Sequence, residues 1–300
     1  RPPRSTLFPY TTLFRSKVSD EFKPIIIRPG GSFSFGLAEL WRYRELLYFF
    51  TWKEIKIRYK QALLGVLWTW LQPLTMMVVF VLVLNRGLGF TTGEVPAPLF
   101  YLSGLLIWNL FNHSVTNAAQ SMVTHGHIIK KIYFPRLAIP ISSIGTATFD
   151  FIISMLIFFV LLTWYQIKGM IMVSFPFLIS GFVVAYLVTI FTSFSIGTWL
   201  AAINVKYRDV RYVLPFLIQS LFFITPVMYD TEKIKYGWAQ KLLEINPLHY
   251  AIQLIRSGLS NGDWKSFLDL QWFMPVILIC LFVFSIYIFR RMEAYFADIV

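Results

Sequence analysis

Charge is scarce in this chain, and so are cysteine and histidine. Only 14% of its 300 residues are Asp, Glu, Lys or Arg, where a soluble domain carries about a quarter, so a water-soluble globular fold is excluded. The single cysteine, Cys280, lies in an apolar run and leaves no disulfide framework and no cysteine-built metal site. Four histidines (113, 125, 127 and 249) are dispersed, and His125 with His127 finds no neighbouring cysteine or carboxylate to complete a metal site. The pattern GxxxxGK[ST] is absent, so the Gly30, Gly31 and Gly36 cluster is no P-loop, and nucleotide chemistry has to sit on a partner. There is no nucleophile elbow, and Asp150 has no carboxylate partner within sequence reach. No catalytic residue is assigned, and no cofactor is expected in this chain.

What is abundant is apolar surface. Apolar residues make up 57% of the chain and aromatic residues 18%, and mean hydropathy is +0.62, which together predict an all-α polytopic membrane protein. The net charge of +12 does not imply nucleic acid, because the basic residues flank apolar runs instead of forming a soluble basic face.

The chain is organised around Glu39 to Leu84, where a cationic aromatic segment runs into an uncharged apolar one. At helical spacing Trp41, Tyr48, Trp52, Ile55 and Tyr59 fall on one stripe and Lys53, Lys56 and Lys60 on another, the pattern of an interfacial helix in a headgroup layer. Leu46, Phe50 and Ile57 form a second apolar line, with a bend expected near Phe50 and Thr51. Before this stretch, residues 1–16 read as a non-native leader and 17–38 as a cytoplasmic tail; the transmembrane domain is expected over 39–300.

Six spans are predicted, at about 62–84, 97–121, 137–162, 172–203, 213–229 and 270–289. Gln72-Pro73 interrupts the first, either as a structural kink or as part of a pathway wall, since a mid-span proline frees a carbonyl that another helix or a cavity must satisfy. In the second, Asn109, Asn112, His113, Thr116 and Gln120 share a face, which suits interhelical hydrogen bonding or a polar conduit. Asp150 is the only charge in the third span. An intramembrane carboxylate costs about 2.5–3.5 kcal/mol on insertion scales, so it is either a functional group or a buried structural acceptor. The fifth span carries Pro215 and Pro226, and 230–269 holds two amphipathic pieces divided by Asn246-Pro247, expected to dip back toward the membrane as short re-entrant helices.

With six spans both termini share a side. Six Lys and Arg fall in Glu39 to Lys60, three in 124–136, three in 204–212 and two at 290–291. The opposite loops hold seven, nearly balanced by acids in 230–269, so the termini are expected in the cytoplasm.

Several segments resemble those of the ABC-2 type permease of polysaccharide exporters, which move O-antigen, teichoic acid or capsule polymers. They are WKEIKIRYKQALLGVLWTWLQPL (52–74), LSGLLIWNLF (102–111), IIKKIYFPR (128–136), NVKYRDVRY (204–212), TPVMY (225–229), INPLHY (245–250) and FRRMEAYFADIV (289–300). The resemblance implies a homodimer in a bacterial cytoplasmic (inner) membrane, working with two copies of a separate ATPase that holds ATP and Mg, and a lipid-linked glycan substrate. It further implies that the interfacial helix (Trp52, Arg58, Tyr59) and the loop of Lys130, Lys131, Tyr133, Phe134, Pro135 and Arg136 receive the ATPase stroke, with the 230–269 helices as an outer gate. A second short charged loop, with Arg208, Asp209 and Arg211, is also suited to docking. Gln72, Asn109, Asn112, Thr116 and Asp150 are the candidate pathway-lining residues. Two other readings compete: a small-molecule or drug exporter of the same type, and an intramembrane glycosyl- or acyltransferase using Asp150 or His113 as base.

Overall fold

A backbone surrounded by hydrocarbon has to satisfy its own hydrogen bonds, which leaves helices and closed barrels. The computed structural model describes residues 37–60, 65–131, 134–207, 209–231, 234, 236–260 and 273–293, and every regular element among them is helical. The expected leader and the tail up to residue 36 lie outside the described residues, as do the start of the first expected span at 62–64 and that of the last at 270–272.

α1 (Leu37–Arg42) and α2 (Arg44–Lys60) form the amphipathic segment. The break falls at Tyr43 and not near Phe50 and Thr51, where α2 is continuous. Phe50, on the second apolar line, is buried, while Trp41, Tyr48 and Trp52 stay exposed. Tyr48 stacks on Trp52 and the Lys56 ammonium lies 5.6 Å from the Trp52 ring centroid. α2 rests against a long apolar helix, α6 (Ala138–Ile167). At their contact Gly145 leaves room for Thr51: a Cβ at 145 would stand 2.9 Å from the Thr51 hydroxyl oxygen and methyl carbon.

Gly65, at φ 45°, turns the chain into α3 (Leu67–Phe80), which runs on as a π-helical segment over Val81–Gly87. α4 (Ala97–Thr124) is the central helix, buried along most of its length, and its C-terminus turns at His125 into the short α5 (Gly126–Lys131). α7 (Phe175–Lys206) and α8 (Val210–Ile224) are joined by only three residues, so the expected 204–212 loop is mostly helix. α9 (Gly237–Glu244), α10 (Pro247–Leu259) and α11 (Met274–Glu293) complete the chain. Among the described residues, four helices are long and apolar enough to cross a membrane: 67–87, 138–167, 175–206 and 274–293. α4 is long but interrupted by its Asn and His face, and α8 has 15 residues.

Between apolar helices in lipid there is little hydrophobic driving force, and close approach over small residues supplies the packing instead. α7 meets α4 where a Cβ at Gly197 would lie 2.8 Å from that of Ala118, and meets α10 where a Cβ at Gly181 would lie 2.9 Å from the Leu254 carbonyl oxygen. Because that oxygen belongs to backbone, it cannot step aside. Gly181→Ala should therefore force α10 off α7 and lower stability by about 1–3 kcal/mol, read from denaturation of the purified chain. A variant as stable as the parent would disprove this contact.

A second apolar cluster binds the basic side of the molecule: Leu40 and Phe50 pack with Met122, Ile129, Phe134, Leu137, Val205 and Phe289. The amphipathic segment is thus seated on the ends of α4, α7 and α11 and on the segment that follows α5.

Candidate functional site

The lone carboxylate of α6 is not alone in space. Arg58 and Tyr59, adjacent at the end of α2, both reach Asp150: Arg58 Nη1 donates to Oδ2 and the Tyr59 hydroxyl to Oδ1. The Arg58 side chain is 38% exposed and that of Asp150 only 12%, so the carboxylate carries most of the desolvation and the cation keeps one side in water. Burial, reinforced by the bond to Asp150, pushes the Tyr59 phenol up to about 12, which keeps it a donor at any physiological pH. With its proton committed to Asp150, the phenol oxygen is left to accept from Thr69 Oγ1 on α3 at 3.1 Å.

The same knot resolves the proline in α3. Pro73 has no N–H for the carbonyl of Thr69 four residues earlier. Ser154 on α6 supplies the missing donor, its Oγ lying 3.2 Å from the Thr69 oxygen and 2.9 Å from the Asp150 carbonyl, so one hydroxyl proton serves two acceptors. Nearby, Trp70 Nε1 donates to the Ile153 carbonyl at 2.9 Å. Ser154→Ala should therefore destabilise the chain by about 1–3 kcal/mol by leaving the Thr69 carbonyl unpaired. Adding Pro73→Ala, which restores the N–H, should recover most of that in a melting experiment. If the double variant melts no higher than the single one, the pairing is misassigned.

Around this knot is a cavity of about 340 Å³, walled by Arg58, Tyr59 and Asp150, by Trp68, Gln72 and Pro73 of α3, and by Asn109 and His113 of α4. Of the pathway-lining candidates, Gln72, Asn109 and Asp150 come together here. Asn112 and Thr116 do not: one turn further on, Thr116 Oγ1 bonds Asn112 Oδ1 at 3.2 Å.

The candidate coupling residues divide by surroundings. Trp52, Lys131, Asp209 and Arg211 are exposed. Phe134 and Pro135 are buried, and the Phe134 ring lies 5.8 Å from that of Phe50. Arg136 donates to the Glu293 carbonyl, tying this segment to α11. Tyr133, Arg208 and the Lys130 side chain lie outside the described residues. Between α2 and the end of α4, His125 Nε2 lies 3.7 Å from Glu54 Oε1. Burial raises the Glu54 carboxyl, against the pull of His125 and Arg58.

A residue that sequence reasoning passed over holds the other end. α8 stops at Ile224, and the turn after it leaves the carbonyls of Pro226 and Val227 without helical partners. Arg256 of α10 donates to each at 2.9 Å, with its guanidinium carbon 3.5 Å from the Phe100 ring centroid on α4. Gly104 admits this turn, because a Cβ there would stand 3.1 Å from the Val227 oxygen and 3.2 Å from the Arg256 guanidinium. Asn246 caps α10, accepting from the Leu248 N–H at 3.0 Å, and donates to Thr225 Oγ1 at 3.1 Å. The 225–229 and 245–250 motifs are thus two halves of one joint. The signal that could have found Arg256 was a lone cation on the apolar side of an amphipathic helix.

The family model described as ABC-2 type transporter matches residues 45–260. Among curated proteins, the chain is 32% identical over 215 residues to the O-antigen export system permease protein RfbA of Myxococcus xanthus, covering 71% of this chain and 79% of that protein. It is 28% identical over 262 residues to the protein of the same name from Klebsiella pneumoniae, covering 85% and 95%. To the polysialic acid transport protein KpsM of Escherichia coli it is 24% identical over 233 residues, covering 77% and 87%.

Proposed function

The chain belongs to the ABC-2 type transporter family, and from that premise we propose that it is the permease of an exporter carrying a lipid-linked polysaccharide out across a bacterial cytoplasmic membrane. The relatives named for O-antigen and polysialic acid support a polymer over a small molecule or drug. Six crossings are made by α3 with its π-helical extension, α4, α6, α7, α8 and α11, with both termini in the cytoplasm and α9 and α10 re-entering from outside. Two copies of the chain form the passage, and two copies of a separate ATPase supply ATP and Mg chemistry from below.

The observation that carries the mechanism is the knot of Arg58, Tyr59 and Asp150, where the interfacial helix is fastened to α6 and α3 beside a polar cavity. ATP binding can move spans only by favouring one packing over another. In this account the ATPase engages the second short loop, with Arg208, Asp209 and Arg211, together with Trp52 and the loop of Lys130, Lys131 and Tyr133. Phe134, Pro135 and Arg136 hold that loop to α2 and α11, and α2 carries the displacement through Arg58 and Tyr59 into the spans. Gln72, Asn109 and Asp150 face the pathway, with Asn112 and Thr116 continuing it along α4.

The test is deletion of the gene and complementation with and without the ATPase. Surface polysaccharide should vanish, lipid-linked polymer should accumulate inside, and both subunits should be needed to restore export. Unchanged surface polymer with lost resistance to small toxic compounds would favour drug export. Glycosyl or acyl transfer by the purified chain alone would favour an intramembrane transferase.

A further inference from the structure

We propose that the cavity beside the Arg58–Asp150 pair is a docking pocket for a neutral saccharide unit, one in each permease chain, rather than a site for the phosphates of a lipid carrier. This rests on the export reading and adds where, and by which part, the substrate is held. The first argument is charge. Among the described residues, the one cation and the one carboxylate on the cavity wall are bonded to each other, so they offer an incoming anion no net attraction. A phosphate approaching Arg58 would also meet Asp150.

The second argument is unspent hydrogen-bonding capacity. Gln72, Asn109 and His113 line the cavity, and no side-chain hydrogen bond joins any of them to another residue among the described residues. Each is planar and carries both donor and acceptor positions, as an imidazole or an amide does. Sugar hydroxyls, which donate and accept at once, match that set, whereas a phosphate uses donors only. The third argument is the Trp68 indole, 56% exposed on the same wall, a flat apolar face on which the C–H side of a pyranose can lie. At about 340 Å³ the space sits at the lower end of small-molecule sites, about 300–1,000 Å³, and suits a mono- or disaccharide unit of a longer chain.

Saturation-transfer NMR on the full chain in lipid nanodiscs tests this, using methyl glycosides of mannose, galactose and rhamnose and, separately, inorganic pyrophosphate followed by phosphorus line width. Ring protons of at least one glycoside should receive saturation, and pyrophosphate should stay sharp. Gln72→Leu with Asn109→Leu should weaken the glycoside about tenfold or more, on the scale of one lost hydrogen bond per tenfold. Trp68→Leu, at an exposed position of the same wall, should weaken it too, and a melting temperature equal to the parent's separates site loss from misfolding. Glycoside signals absent from the parent chain, signals unchanged in both variants, or broadening of pyrophosphate alone would each overturn the proposal. The deletion phenotype is independent: export lost on deletion with no glycoside bound would leave the exporter standing and remove the pocket.

Discussion

Arg58→Leu lowers the stability of the purified chain by about 2–3 kcal/mol and reduces export to background. Removing one partner of a buried ion pair costs about 3–5 kcal/mol because a charge is left uncompensated. Here the figure is smaller because Arg58 is partly in water and Tyr59 still donates to Asp150. The carboxylate left behind sits at the junction of three helices, so its protonation or hydration loosens α2 from α6. Asp150→Leu alone should be milder, since Arg58 can turn outward. The double variant Arg58→Leu with Asp150→Leu should regain most of the stability, because no charge remains unpaired, and the coupling energy of the cycle should exceed about 1 kcal/mol. Export should not return, since the fastening is gone. Denaturation and surface-polymer assays on the four proteins separate these roles, and a double variant that exports normally would mean the pair only supports the fold.

Arg256→Ala destabilises the joint between α10 and the turn after α8 by about 3 kcal/mol or more. Two carbonyls, of Pro226 and Val227, lose their donor in a buried site, each at a cost of about 1–3 kcal/mol, and Phe100 loses the cation above its ring. Arg256→Lys keeps charge without the planar fork and should recover only part of the loss. Melting temperature and protease sensitivity of the 225–236 region report the effect. A change below about 0.5 kcal/mol, within the range of ordinary surface substitutions, would contradict the assignment.

Much of this architecture was legible because it follows from local rules. Uncharged runs marked where the long apolar helices lie, and Asp150 stood out as the only charge of its expected span. Pro73 was expected to free a carbonyl that another helix or a cavity would satisfy, and Ser154 of α6 donates to it. What sequence could not reveal is pairing over distance, for Arg58 and Asp150 are 92 positions apart. Tyr59 shared a helical stripe with Trp52, yet its hydroxyl reaches inward to Asp150 of α6 while Trp52 stays exposed. The charges of 204–212 suggested a loop, but Lys206 still ends α7 and Val210 already begins α8, since long cationic side chains reach water from a helix end. Arg256, a lone cation in an amphipathic helix, passed unread. Its role appears only when the turn after α8 folds over it.

With Arg58 and Tyr59 fastened to Asp150, α2 and α6 should move as one body when the ATPase drives transport. The close approach at Gly145 allows a direct test, since a Cβ there would lie 3.5 Å from the Thr51 Cβ, within disulfide reach. In a Cys280→Ser background, Thr51→Cys with Gly145→Cys should oxidise to a crosslink, and export measured with the bond closed should equal export after reduction. Loss of export on oxidation, restored by reductant, would show that α2 must slide on α6 and would contradict the account.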